Sequence, residues 1–113
     1  MKAAVFILLF MLASCSAVHA PTNQKAIIKT TFHCDHCKQC ETCGQLFLSN
    51  MYKLAGVRMY EIDTDANTIT VYYDGGKTQL DVIRNGIANL GYDADDNKAT
   101  QAGYDKLDSC CKR

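Results

Sequence analysis

Four cysteines at a strict three-residue spacing, Cys34, Cys37, Cys40 and Cys43, are the residues of this chain best suited to chemistry. Thiolate sulfur is a soft donor, and a closed-shell ion such as Cu(I), Hg(II), Cd(II) or Zn(II) prefers it to oxygen. Two cysteines three positions apart converge on one ion when a loop or a first helical turn carries them. A helix N-terminus beside them adds exposed amides and the positive end of the helix dipole, and both favour thiolate over thiol. Four such cysteines on one continuous helix cannot surround a single ion. Each three-residue step turns about 300° and rises about 4.5 Å, which would set Cys34 and Cys43 about 13 Å apart. Either Cys34 to Cys40 form a loop that folds back, as the turn-favouring run His33-Cys34-Asp35-His36-Cys37 suggests, or the segment holds two ions or a small thiolate cluster.

Other donors stand nearby in sequence or at the chain end. His33 and His36 flank the first cysteine pair; they are either additional imidazole ligands, which would suit zinc, or exposed loop histidines. Cys110 and Cys111 are adjacent on a polar tail. Three roles stand open for them: extra ligands folded over the main cluster, a redox or partner-docking pair, or a plain thiol or disulfide-bonded tail. A purely structural disulfide staple is the bland alternative for the four-cysteine run, because an oxidising compartment permits it.

The chain start bears on that compartment. Lys2 precedes an apolar run from Ala3 to Leu12, too short for a membrane-spanning helix, which needs about 20 residues, but suited to a signal-peptide core. Leu12-Ala13-Ser14-Cys15 resembles a bacterial lipobox, in which cleavage precedes Cys15 and a diacylglycerol joins its sulfur. Residues 1–15 are thus expected to be a lipoprotein-type signal and 16–24 a tether, which places the protein on an envelope membrane facing the periplasm. The competing reading is soluble periplasmic export with cleavage after Ala20, which Pro21 disfavours.

Length and charge bound what remains. Of 113 residues, roughly 90–98 are left for one domain with one modest core. Twelve basic residues balance twelve acidic ones, so there is no basic face for nucleic acid.

The elements that must position the cysteines follow from periodicity. Lys25 to Phe32 reads as a strand, and the cysteine cluster follows at once. Phe47, Met51 and Leu54 make one helical stripe, which extends backward to Cys43 and Cys40 and sets them at the helix start. Gly56 ends that helix as a left-handed cap. Val57 to Asp63 and Thr68 to Tyr73 are strands, with Tyr60, Ile62, Ile69, Val71 and Tyr73 inward. Thr78 is a candidate N-cap for a second helix, with Leu80, Ile83, Ile87 and Leu90 on its apolar face and Gly91 as its stop. Tyr92 to Asp95 is a candidate edge strand and Ala99 to Leu107 a short extra helix. The order is that of the split βαβ, or ferredoxin-like, arrangement. This βαββαβ fold is α+β: an antiparallel four-stranded sheet, two helices on one face, and here a short C-terminal extension.

Across residues 25–96 the sequence resembles a heavy-metal-associated domain, the module of copper chaperones and of the periplasmic mercury-binding protein. The resemblance rests on Ile27-Ile28-Lys29-Thr30-Thr31-Phe32 running into a Cys-x-x-Cys, on Leu54-Ala55-Gly56-Val57, on Thr68 to Asp74 (TITVYYD) and on Leu90-Gly91-Tyr92. It implies that two cysteines of the first loop grip one soft cation, Cu(I) first and Zn(II) or Hg(II) as alternatives. It also implies that Tyr92 packs beneath the site. The implied role is capture and transfer or sequestration, with a metal transporter or other metal-accepting protein as partner, rather than catalysis. Two departures stand out: the usual Gly-Met-Thr before the motif is missing, and the motif is doubled. Counting back from Gly56-Val57 points to Cys40 and Cys43; counting forward from the first strand points to Cys34 and Cys37.

Two rivals use the same sulfurs. An iron–sulfur electron carrier would continue the run with x₃-Cys-Pro, whereas Cys43 follows after two residues and Gly44 comes next. A thiol–disulfide redox protein would use a Cys-x-x-Cys, but the element order is not thioredoxin-like. Residues 97–113 are left as an extension ending in the Cys110-Cys111 tail.

Overall fold

The computed structural model describes residues 22–33 and 41–112. Along the chain these form β1 (Asn23–Lys29), α1 (Glu41–Met51), β2 (Val57–Asp63), β3 (Thr68–Asp74), α2 (Leu80–Asn89), α3 (Gln101–Asp105) and a 3₁₀ turn at Ser109–Cys111. The sheet is antiparallel, in the order β1-β3-β2.

Alternation sets the two faces of the sheet. Ile28 lies opposite Ile69 and Ala26 opposite Val71 across the β1–β3 ladder; Tyr60 and Ile62 meet Val71 and Ile69 from β2. Ile28, Ile69 and Val71 are fully buried. The other face carries exposed Lys25, Ile27, Met59 and Glu61. Both helices cover the buried face: Cys43, Phe47 and Met51 of α1 and Ile83 and Ile87 of α2 join the sheet residues in one core. Spacing of i, i+4 and i+8 puts the three α1 residues on one stripe, as amphipathic burial requires.

The ends of elements differ from their sequence signals in instructive ways. β1 begins at Asn23, two residues before the expected domain start, because Asn23 pairs with Asp74 and Gly75 N–H donates to Thr22 O (2.6 Å). It leaves the ladder after Lys29, three residues before Phe32. α1 closes at Met51, and its last expected turn survives as tighter bonds from Lys53 N–H to Asn50 O and from Leu54 N–H to Met51 O. Gly56 turns the chain with φ +82, as its position after the helix predicts. Thr78 does not cap α2. It is buried, its N–H bonds Asp74 O (3.1 Å), and the helix starts two residues later behind Gln79, which offers no side-chain cap.

The expected fourth strand is the main correction to the fold. Tyr92 to Asp95 forms no ladder; among the described residues the sheet has three strands. Asp95 instead turns to a positive φ of +51, which a short polar side chain tolerates and a strand does not. Its N–H donates to Lys29 O and its carboxylate accepts from Lys29 N–H, both at 2.8 Å, so one residue satisfies both backbone groups of Lys29 at the end of β1. Its other carboxylate oxygen takes the Arg84 guanidinium at 2.9 Å. Ala94 and Asn97 close this turn with a reciprocal pair of backbone bonds.

The extension is docked on the domain. Thr100 caps α3 by accepting from Gly103 N–H (3.1 Å), while its own N–H donates to Ala88 O (2.9 Å). Gly103 packs backbone against backbone on Gly91, where a Cβ would come within 2.7 Å of Gly103 O and φ is +102. The expected helix of Ala99 to Leu107 shrinks to α3, and beyond it Leu107 and Cys111 enter the core.

Candidate metal centre

The cysteine-rich segment is held at both ends. On the β1 side, Asn67 in the β2–β3 turn sits at φ +53 and acts as a clasp. Its carbonyl accepts from Thr30 N–H (2.9 Å) and its side-chain oxygen from Phe32 N–H (3.0 Å). These bonds pull the chain out of the sheet and aim it toward the start of α1. His33 is exposed at that point. Cys34, His36, Cys37 and Cys40 lie outside the described residues, as do Cys15, the signal segment and most of the tether. The chain re-enters at Glu41, where α1 begins, so the sequence places three cysteines between the clasp and the helix.

Beneath this junction is an aromatic floor. Phe47 stacks obliquely on Tyr92 with ring centroids 4.9 Å apart; Phe32 lies 5.6 Å from Tyr92 and 6.2 Å from Phe47. Tyr92 is 2% exposed, and the last-loop position the resemblance points to thus packs against residues on both sides of the segment. Tyr60 extends the floor from β2, and burial together with neighbouring Tyr52 pushes its phenol pKa up. An apolar floor of this kind fixes the position of the loop ends and lowers the local dielectric around any ion above it.

Cys43 has a partner that the spacing argument did not foresee. It lies in the first turn of α1, is 1% exposed, and is disulfide-bonded to Cys111, also 1% exposed, across 68 residues of sequence. Cys110 stands outside that bond, with its sulfur 3.8 Å from the Cys111 sulfur. The adjacent tail cysteines are therefore not linked to each other; one of them reaches the expected cluster, as a covalent partner of Cys43. In this oxidised state Cys43 has no thiolate to offer, and a ligand role for it or Cys111 belongs to the reduced protein. Among the described residues no three His, Cys, Asp or Glu side chains converge as a metal-binding group. The sequence foreshadowed the approach of the tail to the cluster, as extra ligands folded over it, but not this pairing.

A three-stranded antiparallel sheet under two helices, with its cysteine-rich segment strung between the first strand and the first helix, has the layout of a heavy-metal-associated domain. No family model matches the chain. The copper chaperone CopZ of Staphylococcus haemolyticus (strain JCSC1435) is 33% identical over 60 residues, which span 53% of this chain and 79% of that protein. The chain belongs to this copper chaperone family. Solved structures agree in fold. A CopZ metallochaperone superposes with a TM-score of 0.53 at 20% identity, over 63% of this chain and 98% of its own. A Bacillus anthracis (str. Ames) protein assigned to copper-ion binding gives the same score and identity over 66% and 99%.

Proposed function

We propose that this chain captures Cu(I) through thiolates of the β1–α1 junction and passes it to a metal transporter or other metal-accepting protein. The observation that carries the reading is a copper chaperone fold in which Asn67 holds the chain after β1, Phe32, Phe47 and Tyr92 pack together at the ends of the β1–α1 connection, and Cys43 lies in the first turn of α1; by sequence, Cys34, Cys37 and Cys40 fall in that connection. Cu(I) is the ion that best matches thiolates and the relatives' named cargo. Zn(II) and Hg(II) are softer claims on the same donors. Because Cys43 is bonded to Cys111 here, the oxidised protein is left with Cys34, Cys37 and Cys40, and the forward count from β1, which selects Cys34 and Cys37, becomes the favoured pair. His33, exposed at the end of the described segment, and His36 are the additional imidazole donors of this reading.

Titration of the reduced full chain with Cu(I) against a chromophoric chelator tests this. The wild type is expected to outcompete the chelator. The quadruple variant Cys34→Ser, Cys37→Ser, Cys40→Ser, Cys43→Ser is expected to lose at least a hundredfold in affinity, and equal binding by the two would refute the reading.

The same reading places the protein on a bacterial envelope membrane through a lipid on Cys15. A buried disulfide supports an oxidising compartment. Cys15→Ser is expected to move the protein from the membrane fraction to the soluble periplasmic fraction; an unchanged distribution would remove the lipid anchor from the account.

A further inference from the structure

The C-terminal extension gathers three sulfurs at one place. Cys43 and Cys111 are bonded, and the Cys110 sulfur lies 3.8 Å from that of Cys111. A trigonal ion with metal–sulfur bonds of about 2.3 Å, the zinc–thiolate length, spaces its sulfurs about 4 Å apart. Cys110 and Cys111 already have that spacing, and Cys43 and Cys111 would relax toward it once their bond opened. We propose that Cys43, Cys110 and Cys111 form a second soft-metal site, closed while Cys43–Cys111 is oxidised and opened by a small dithiol.

Three observations support this. First, the extension is held to the domain by contacts other than the bond. Thr100 N–H bonds Ala88 O, Gly103 packs against Gly91, and Leu107 is buried in the core, and these contacts would keep Cys110 and Cys111 near Cys43 at high effective concentration once the bond opened. Second, the bond is buried but flanked by two clefts. Cys111 lines one of about 250 Å³ with His33 and Tyr104, and Cys43 lines another of about 310 Å³ with Asn50 and Lys106. Third, Cys43 lies in the first turn of an eleven-residue helix, whose dipole favours its thiolate. Lys106 borders the Cys43 cleft, and Lys112, whose ammonium donates to Asp105 O (3.0 Å), follows Cys111 directly. Asp108 borders the same cleft as Lys106 and Asp93 lines the other, so the charge around the three sulfurs is mixed.

The redox step balances with a dithiol as reductant. One of its thiolates attacks a sulfur of Cys43–Cys111, the S–S bond breaks, and a mixed disulfide forms. The second thiol then attacks the dithiol's own sulfur in that mixed disulfide and leaves with it as a cyclic disulfide; the dithiol is oxidised by two electrons, and its two protons end on Cys43 and Cys111 as thiols. Ion binding then releases the three thiol protons to solvent. This site rests on the preceding reading for the softness of the ion; of that reading's four cysteines it uses Cys43 and none of Cys34, Cys37 and Cys40.

Cd(II) is a suitable probe, because it is soft, takes thiolate ligands and has no redox chemistry of its own. The full chain carrying Cys34→Ser, Cys37→Ser and Cys40→Ser isolates the tail site. Oxidised, this variant is expected to retain no Cd(II) after desalting. Reduced with a dithiol and freed of reductant under anaerobic conditions, it is expected to retain one equivalent and to show thiolate-to-cadmium charge-transfer absorption. Adding Cys110→Ser should weaken retention at least tenfold, and adding Cys110→Ser with Cys111→Ser should abolish it. No uptake by the reduced variant, or equal uptake without the tail cysteines, would overturn the proposal. If the triple variant fails to fold, native mass spectrometry of the reduced wild type against its Cys110→Ser/Cys111→Ser form decides instead: one fewer Cd(II) supports the site, an equal count refutes it. Failure here with Cu(I) bound normally at Cys34, Cys37 and Cys40 leaves the main reading intact, and the converse also holds.

Discussion

Replacing Cys110 and Cys111 together by serine is expected to lower the unfolding free energy of the oxidised protein by about 4 kcal/mol, read from urea unfolding of matched samples. Cys43–Cys111 closes a loop of 68 residues, and the chain-entropy cost of such a loop in the unfolded state gives that magnitude. Both cysteines are changed so that Cys110 cannot take over the pairing with Cys43 from its position beside Cys111. Dithiol treatment should bring wild type and variant to nearly equal stability. A variant as stable as the oxidised wild type would mean that the bond holds together parts that packing already secures, with Leu107 and the Gly91–Gly103 contact as the sufficient anchors.

Phe47→Ala is expected to cost about 3–5 kcal/mol, the range for emptying a buried phenylalanine site. Phe47 is fully buried and touches Phe32, Tyr60 and Tyr92, so its removal opens a cavity bounded by three rings that belong to separate elements. These rings have little freedom to collapse inward, since Phe32 is fixed by its backbone bond to Asn67 and Tyr92 by the close Gly91 turn. Out of a total domain stability of roughly 5–15 kcal/mol, the loss leaves a thin margin. It should also loosen the junction above, so that Cu(I) affinity of the reduced protein falls together with stability, whereas Phe47→Leu should keep most of both. A Phe47→Ala protein that unfolds at the wild-type urea midpoint would contradict the packing described.

How much of this was legible in the sequence depends on the range of the interactions. Alternation in Ile69 and Val71 and the four-residue spacing of Phe47 and Met51 are local patterns that burial enforces, and the structure follows them. Gly56 and Gly91 both take the positive φ that their places after helices require. The fourth strand was misjudged because Tyr92 to Asp95 has an apolar start but an aspartate whose carboxylate competes for a backbone N–H; the side-chain bond to Lys29 replaces a ladder. Thr78 looked like a cap because its type fits one, but it is buried against Gly56, 22 positions away, with its N–H on Asp74 O. The disulfide was the least legible feature. Seven cysteines permit many pairings, and spacing along the chain carries no information about which sulfurs a fold brings together. Of the expected donors, Cys34, Cys37 and Cys40 lie outside the described residues; the clasp at Asn67 was not legible, because a turn residue gives no sign that its side chain will reach across 35 positions to Phe32.

The most direct test of the central claim is copper K-edge X-ray absorption of the reduced, Cu(I)-loaded chain carrying Cys110→Ser and Cys111→Ser, so that the signal reports the β1–α1 junction alone. The account predicts a first shell of two or three sulfurs with no nitrogen or oxygen. A shell of nitrogen or oxygen donors, or copper lost on desalting, would contradict it.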